Sequence, residues 1–214
     1  MREEATEFVL ASHNAKKLRE LREILGTLEI AVSALPEGAP EPEENGDTFE
    51  ENALIKARAA CRLTGKPALA DDSGLCVDAL GGAPGVYSAR YGSAAYCVRY
   101  PDGFAVLPPD AADTDRTLRL LRAMETVPSN RRQARFVSAI ACVFPDGREF
   151  TVRGECEGEI AHQVHGEGGF GYVPVFFVPA YGKTFGELSP ETKNRISHRS
   201  RALQNCLVKL REVL

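Results

Sequence analysis

Residues 8–28 read FVLASHNAKKLRELREILGTL, an apolar run followed by a polar turn and an amphipathic stretch. The run Phe8–Ala11 predicts a short buried strand. Apolar residues then recur at three- and four-residue spacing, the pattern of one helix face: Leu18, Leu21, Ile24, Leu25 and Leu28. A buried strand that leads through a turn into a helix is the repeating unit of α/β proteins.

The next segments continue this alternation. Thr48 and Glu51 have the spacing of a capping box, which predicts a helix that opens after Thr48 and stops at Gly65. The run Pro67–Ala70 predicts another short strand, which the acidic turn beginning at Asp71 would end.

The second half of the chain adds a hairpin to the pattern. Phe136–Phe144 is apolar on both faces, as a central strand is, and a Pro-Asp-Gly turn leads from it into Glu149–Arg153. Gly92–Asp113 shows little periodicity, Asp115–Met124 is helical by pattern, and the C-terminal segment carries leucines along one stripe through Leu214. We therefore expect an α/β fold with a mixed sheet. Because no linker interrupts the chain, we expect one domain over residues 1–214.

Composition excludes several classes of protein. Of the 214 residues, 43% are hydrophobic and 26% charged, which rules out wholesale disorder, and the net charge of −4 argues against a nucleic-acid partner. No apolar run reaches the roughly 20 residues that span a membrane, and the first residues do not resemble a secretory signal. These features predict a soluble, cytoplasmic protein whose six cysteines are reduced.

The turn between the first strand and helix suits phosphate. A helix N-terminus offers unpaired N–H groups and the positive end of the dipole, to which this turn adds short polar side chains and lysines. Its members are Ser12, His13, Asn14, Ala15, Lys16 and Lys17. The alternative is an ordinary capped turn with solvated lysines.

Two acidic pairs suit a divalent cation. Glu43-Glu44 lies in an early loop and Asp71-Asp72 at a strand end, and carboxylates on such loops converge where α/β proteins bind ligands. Their hard oxygen atoms match Mg²⁺, and a carboxylate beside the metal could take a proton from an attacking water. The alternative is solvated loop charge for the glutamates and a plain turn for the aspartates.

Two further segments could contact a base. Gly166–Tyr172 combines glycines, which allow close approach, with two aromatic residues that could stack, although such aromatics can equally belong to the core. Lys193 precedes His198 and Arg199, which lie in the first turn of the last helix, where the dipole disfavours cations. The alternative for these residues is a simple amphipathic helix start.

Together, these motifs resemble the Ham1-like non-canonical purine nucleoside triphosphate pyrophosphatases, also called inosine triphosphate or dITP/XTP pyrophosphatases. The matching segments occur in the family's order and cover nearly the whole chain: Ser12–Lys17, TFEENALIKA at 48–57, LADDSGLCVDALGGAPGVYSAR at 69–90, GGFGYVPVF at 168–176 and KNRISHRSRAL at 193–203. The resemblance implies a homodimeric enzyme with an elongated mixed sheet and a cleft between two lobes. It would hydrolyse ITP, dITP and XTP to the monophosphate and pyrophosphate with Mg²⁺, clearing deaminated purines from the nucleotide pool.

The resemblance also implies roles for single residues. Glu44 and Asp72 match the metal ligands, and Asp72 also matches the proton acceptor. Matches to phosphate- and substrate-contacting positions are Ser12, Asn14, Lys17, Lys56 and Ser73, with His13, Ala15 and Lys16 in the same turn. Matches to base-contacting positions are Phe170, Gly171, Tyr172, Val173, Lys193, His198 and Arg199.

The chain departs from the family pattern at two places. Val173 stands where the family usually has an acid that contacts the base, which puts the purine preference in doubt but leaves the phosphate residues intact. Gly92–Asp113 is longer than its counterpart by about fifteen residues, an unusual length for a loop. Two other functions stay open: a Maf-type pyrophosphatase with another altered-base preference, and a nucleotide-binding protein without turnover.

Overall fold

A computed structural model describes residues 7–27, 30–167 and 169–213. Its strands are β1 (Phe8–Leu10), β2 (Val32–Ala34), β3 (Ala68–Val77), β4 (Gln133–Val143), β5 (Glu149–Ile160), β6 (Phe176–Val178) and β7 (Lys183–Thr184). Its α-helices are α1 (Ala15–Thr27), α2 (Phe49–Thr64), α3 (Ala94–Arg99), α4 (Asp113–Ala123), α5 (Pro190–Ile196) and α6 (His198–Val213). The predicted helix positions Leu28 and Leu214, and Gly168 of the glycine-rich segment, lie outside the described residues.

The strands form one mixed sheet in the order β2-β1-β3-β4-β5-β6-β7. Strand β1 pairs in parallel with β2 and β3, whereas β6 pairs antiparallel with β5 and β7. The predicted α/β fold with a mixed sheet is confirmed. The predicted turn between β4 and β5 is also present, since the Phe144 N–H donates to the Arg148 carbonyl oxygen at 2.9 Å.

Helix α2 begins and ends where the capping pattern predicts. Thr48 accepts from the Glu51 N–H at 3.1 Å, and the Glu51 carboxylate in turn accepts from the Thr48 N–H, which completes the capping box. Gly65 follows the helix with φ +66°, a left-handed conformation that glycine adopts without steric cost. The bounds of this helix are therefore set by local sequence.

Two local expectations were wrong. Strand β3 does not end at Asp71 but runs on to Val77, so that Asp71, Asp72 and Ser73 lie within the strand. It continues because these polar side chains find partners from distant segments, as described below. Gly92–Asp113 contains helix α3, which begins after Ser93, whose side chain accepts from the Tyr96 N–H.

The chain divides into two compact units. Of the described residues, the first unit contains those up to Ser73, Val137–Glu155 and those from Ile196 onward. The second contains Gly74–Phe136 and Cys156–Arg195. A single domain with a cleft between two lobes stays a prediction.

The core of the first unit joins α1 and α6 to the strands. Leu21, Ile24 and Leu25 of α1 are buried, which confirms the predicted helix face. They share a core with residues of β1, β3, β4 and α6: Phe8, Leu10, Leu69, Ile140, Cys142, Ala202, Leu203, Cys206 and Leu210. Helix α6 lies so close to β5 that a Cβ added at Gly154 would be 2.2 Å from the Ala202 nitrogen.

The second unit has an aromatic core and a set of tyrosines. Phe136, Phe176 and Phe185 contact one another, with ring centroids 4.6 to 5.9 Å apart. Tyr91 and Tyr96 pack edge to face at 4.8 Å near the start of Gly92–Asp113. This ring contact joins the segment to the residue that immediately precedes it.

Two further observations bear on the sequence predictions. The six cysteines all carry thiols and not disulfides. Burial raises the pKa of the Cys206 thiol to about 12, so this cysteine is a core residue and not a reactive one. Within the described ranges, no helix has the length and apolar character needed to cross a membrane.

Candidate active site

The turn after β1 is closed by its own side chains. Ser12 Oγ accepts from the Asn14 N–H at 3.2 Å, and Asn14 Oδ1 accepts from the Lys17 N–H at 3.1 Å. Asn14 thereby caps α1, as the capped-turn interpretation expects. The His13 ring donates from Nε2 to the Ala39 carbonyl oxygen at 3.0 Å. The Lys16 side chain lies outside the described part of the structure, although its backbone belongs to α1.

The ammonium of Lys56 joins the two predicted metal ligands. Lys56 lies in the middle of α2, and its Nζ atom is 3.0 Å from Glu44 Oε1 and 2.8 Å from Asp72 Oδ1. The Asp72 side chain is 8% exposed and that of Lys56 is 11% exposed, so the pair is shielded from solvent. Glu44 and Asp72, 28 positions apart in sequence, therefore contact the same atom, Lys56 Nζ. The neighbouring Glu43 is exposed.

Asp71, whose side chain is fully buried, lies at the centre of a second group. Its Oδ2 atom is 3.2 Å from Lys17 Nζ and 3.5 Å from Arg199 Nε, and its Oδ1 atom accepts from Ser138 Oγ at 2.6 Å. Ser73 Oγ also donates to Asp71, at 3.0 Å. This carboxylate is thus satisfied by two cations and two hydroxyl groups, which is what a buried charge requires.

The Arg199 guanidinium is held by three partners of the first unit. Besides Asp71, it pairs with Glu20 of α1 at 2.5 Å and donates to Ser73 Oγ at 2.7 Å. These acidic partners explain how a cation can lie in the first turn of α6 against the helix dipole. The predicted role of Arg199 in reading the base stays a prediction.

The pKa values of the two neighbouring aspartates, Asp71 and Asp72, are shifted in opposite directions. Burial raises the pKa of Asp72, and Lys56 and Lys17 offset only part of that effect. Burial alone would also raise the pKa of Asp71, but Lys17, Arg199 and the Ser138 hydroxyl together hold it well below its usual range. Carboxyl groups with divergent pKa values beside each other are typical of acid–base sites, with the higher one suited to proton exchange.

The carboxylate pair also fits a magnesium ion. Among the described residues no group of three acidic, histidine or cysteine side chains could enclose a metal. Mg²⁺, however, is usually held by one or two carboxylates together with water and substrate phosphates. Glu44 and Asp72 already stabilise one positive charge between them, that of Lys56.

Sequence reasoning missed two members of the buried group. Glu20 lies three residues after Lys17, on the same face of α1, and this spacing was a usable signal. Ser138 lies in the apolar run of β4. The only sequence signal for its role was that it is a polar residue among apolar ones.

The predicted base-contacting residues fall in both units. Tyr172 and Val173 are buried in the second unit, where the Tyr172 hydroxyl donates to the Ser88 carbonyl oxygen at 2.8 Å. Phe170 is partly exposed, as is Lys193 of α5. His198 is 6% exposed and belongs to the first unit. Their roles toward a base stay predictions.

The comparisons with known proteins agree with one another. The model of the Ham1 family matches residues 8–209. A protein of Symbiobacterium thermophilum named dITP/XTP pyrophosphatase is 52% identical over 206 residues, which cover 96% of this chain and 95% of that protein. One of the same name from Desulforamulus reducens is 48% identical over 202 residues, covering 93% and 92%.

Solved structures of Ham1 proteins are also similar to this chain. The structure of a HAM1 protein from Coxiella burnetii superposes with a TM-score of 0.82 at 42% identity, covering 97% of this chain and 99% of that one. The Staphylococcus aureus Ham1 protein superposes with a TM-score of 0.79 at 36% identity, covering 98% and 100%.

Proposed function

Because this chain belongs to the Ham1 family, we propose that it hydrolyses non-canonical purine nucleoside triphosphates, namely ITP, dITP and XTP, to the monophosphate and pyrophosphate. Such an enzyme removes deaminated purines from the nucleotide pool. The observation that carries the proposal is the meeting of Glu44 and Asp72 at the ammonium of Lys56, beside the pair formed by Lys17 and Asp71.

The lysines and the turn after β1 bind the triphosphate. Lys17 and Lys56 are each paired with an aspartate at 2.8 to 3.2 Å, which fixes the two ammonium groups before substrate arrives. Positive groups that are already in place stabilise developing charge without reorganisation. Ser12 and Asn14, together with the N-terminus of α1, add hydrogen-bond donors and the positive end of a dipole.

Asp72 accepts the proton of the attacking water. The water oxygen forms a bond to the α-phosphorus, the bond to the bridging oxygen breaks in line, and pyrophosphate leaves with the electron pair. Lys17 and Lys56 stabilise the charge that develops on it. Mg²⁺ held by Glu44 and Asp72 would neutralise the triphosphate and orient its oxygens. The raised pKa of Asp72 favours proton uptake at this position.

The base is bound by residues named from the family resemblance. These are Phe170, Gly171, Tyr172, Val173, Lys193, His198 and Arg199, while Ser73 is a further substrate contact. Val173 brings no charge or hydrogen-bonding group to this set, so base discrimination depends on the other members. We also propose that the enzyme is a homodimer, on the same resemblance, and that it is cytoplasmic, on the composition of its sequence.

A panel of nucleoside triphosphates tests this proposal. Pyrophosphate release with Mg²⁺ is measured for ITP, dITP and XTP against ATP, GTP, CTP and UTP and against triphosphates of modified pyrimidines. We expect kcat/KM to be highest for the three deaminated purines. A preference for another altered base would support the Maf-type alternative, and binding without any product would support the non-catalytic one.

A further inference from the structure

Helix α4 holds the backbone of the glycine-rich segment at Gly171. Asp113 Oδ2 accepts from the Gly171 N–H at 3.1 Å, and Thr117 Oγ1 donates to the Gly171 carbonyl oxygen at 3.2 Å. Asp113 and Thr117 are four residues apart and therefore lie on the same face of α4. One face of one helix thus binds both polar backbone groups of a single glycine.

Gly171 needs such an anchor because of its conformation. Its φ of +63° is in the left-handed region, and a glycine loses more backbone freedom on ordering than any other residue. The next residue, Tyr172, is fixed at its ring end by the hydrogen bond to Ser88. The preceding residue, the partly exposed Phe170, is joined to Gly171 by the peptide group whose N–H Asp113 holds. The orientation of Phe170 therefore depends on α4.

The same helix is anchored to the inserted segment Gly92–Asp113. Arg119 of α4 donates to both carboxylate oxygens of Asp102 at 2.7 Å and to the Ala105 carbonyl oxygen. Its guanidinium lies 5.5 Å from the ring centroid of Tyr91 and 5.3 Å from that of Phe104. The terminal nitrogens of Arg119 are thus held by hydrogen bonds, and the guanidinium also lies within cation–π distance of two rings.

We propose that α4 positions the predicted base-binding segment Phe170–Val173, with Asp113 and Thr117 as the positioning residues. The inserted segment holds α4 in place through Arg119 and Asp102. This inference rests on the proposed function and deepens it, since base discrimination then depends on a helix that acts through another segment. It also assigns a role to the inserted residues, which the family resemblance does not explain.

Thr117→Val is the direct test, because valine keeps the shape and removes the donor. Loss of one hydrogen bond corresponds to a roughly three- to tenfold change in an equilibrium or rate constant. We expect the ratio of kcat/KM for ITP to that for GTP to fall by that factor, with KM for ITP raised. Inhibition by inorganic tripolyphosphate, which has no base, should be unchanged. Thr117→Ser should restore the ratio.

The chain offers a matched control on the same helix. Thr114 is exposed on α4, so Thr114→Val should leave the ratio at the wild-type value. Asp102→Asn weakens the anchor on Arg119 and should lower the ratio in the same direction as Thr117→Val. A general loss of packing would instead lower kcat for every substrate and leave the ratio unchanged, and that result would overturn the inference.

Amide hydrogen exchange provides a readout that needs no activity. Exchange of residues 169–173 should be faster in Thr117→Val than in the wild type and in Thr114→Val. A wild type that releases no pyrophosphate from ITP, dITP or XTP overturns the proposed function. Active wild-type protein whose Thr117→Val variant keeps both its base ratio and its slow exchange overturns this inference alone.

Discussion

Asp71 and Asp72 show how adjacent residues of one type acquire different properties. Successive side chains of a strand point to opposite faces, so the two carboxyl groups meet different surroundings. Asp71 faces Lys17, Arg199 and Ser138, whereas Asp72 faces Lys56. The first is therefore a structural anion, and the second is the one suited to exchange a proton.

Asp72→Asn should retain the fold and lose turnover. The amide keeps the size of the side chain but cannot accept a proton, and general-base catalysis contributes about 10²- to 10⁴-fold. We expect kcat for ITP with Mg²⁺ to fall by at least about a hundredfold. The control is Asp146→Asn, at an exposed surface pair with Arg148. If Asp72→Asn turned over ITP at close to the wild-type rate, Asp72 would not be the base.

Asp71→Asn should destabilise the fold in a pH-dependent manner. The pKa of Asp71 is lowered on folding, so its stabilising effect is present above the ordinary value of 3.8 and is lost as the pH falls below that value. At pH 7, removing this charge leaves Lys17 and Arg199 without their shared partner, at a cost of about 3 kcal/mol.

Urea unfolding at pH 7 and pH 3 measures this effect. The difference in unfolding free energy between the wild type and Asp71→Asn should be smaller at pH 3. Asp110→Asn, at an exposed loop position, should show no difference at either pH. An equal difference at both pH values would show that Asp71 does not stabilise the protein as an anion.

At the scale of elements, close approach of α6 to β5 depends on Gly154. An added Cβ there would meet the backbone of His198 and Ala202, which cannot move away as the end of a side chain could. Because α6 begins at His198 and carries Arg199, the packing of this helix on β5 also places the guanidinium that holds Asp71.

Two glycine-to-alanine changes should therefore have opposite effects on the free energy of unfolding. Gly154→Ala should lower the unfolding free energy by about 2 kcal/mol through overpacking. Gly26→Ala should raise it by about 0.5–1 kcal/mol, because Gly26 lies in α1 with nothing within 4 Å of an added Cβ. Urea unfolding checks both. A stabilising Gly154→Ala would mean that α6 does not pack tightly on β5.

For the molecule as a whole, features with local signals could be predicted from sequence. The capping box of α2 and the apolar face of α1 depend on residues three or four positions apart, and the structure has both. Asn14 caps α1 for the same reason. Such features are set by interactions that a short window of sequence contains.

Features that depend on distant partners could not be predicted in this way. The acidic pair at Asp71 suggested the end of a strand, yet β3 continues because Lys17, Ser138 and Arg199 arrive from 54, 67 and 128 positions away. The convergence of the two acidic pairs was expected from their places in the fold, but the position of Lys56 between Glu44 and Asp72 could be expected only through the family resemblance. Helix α3 was missed because six residues give too little periodicity.

Hydrolysis of ITP in ¹⁸O-labelled water with Mg²⁺ tests most directly whether water attacks the α-phosphorus, on which the proposed roles of Asp72, Lys17 and Lys56 depend. We expect the products to be inosine monophosphate and pyrophosphate, with all of the label in the monophosphate. Label in pyrophosphate, or release of inorganic phosphate in its place, would contradict attack at the α-phosphorus.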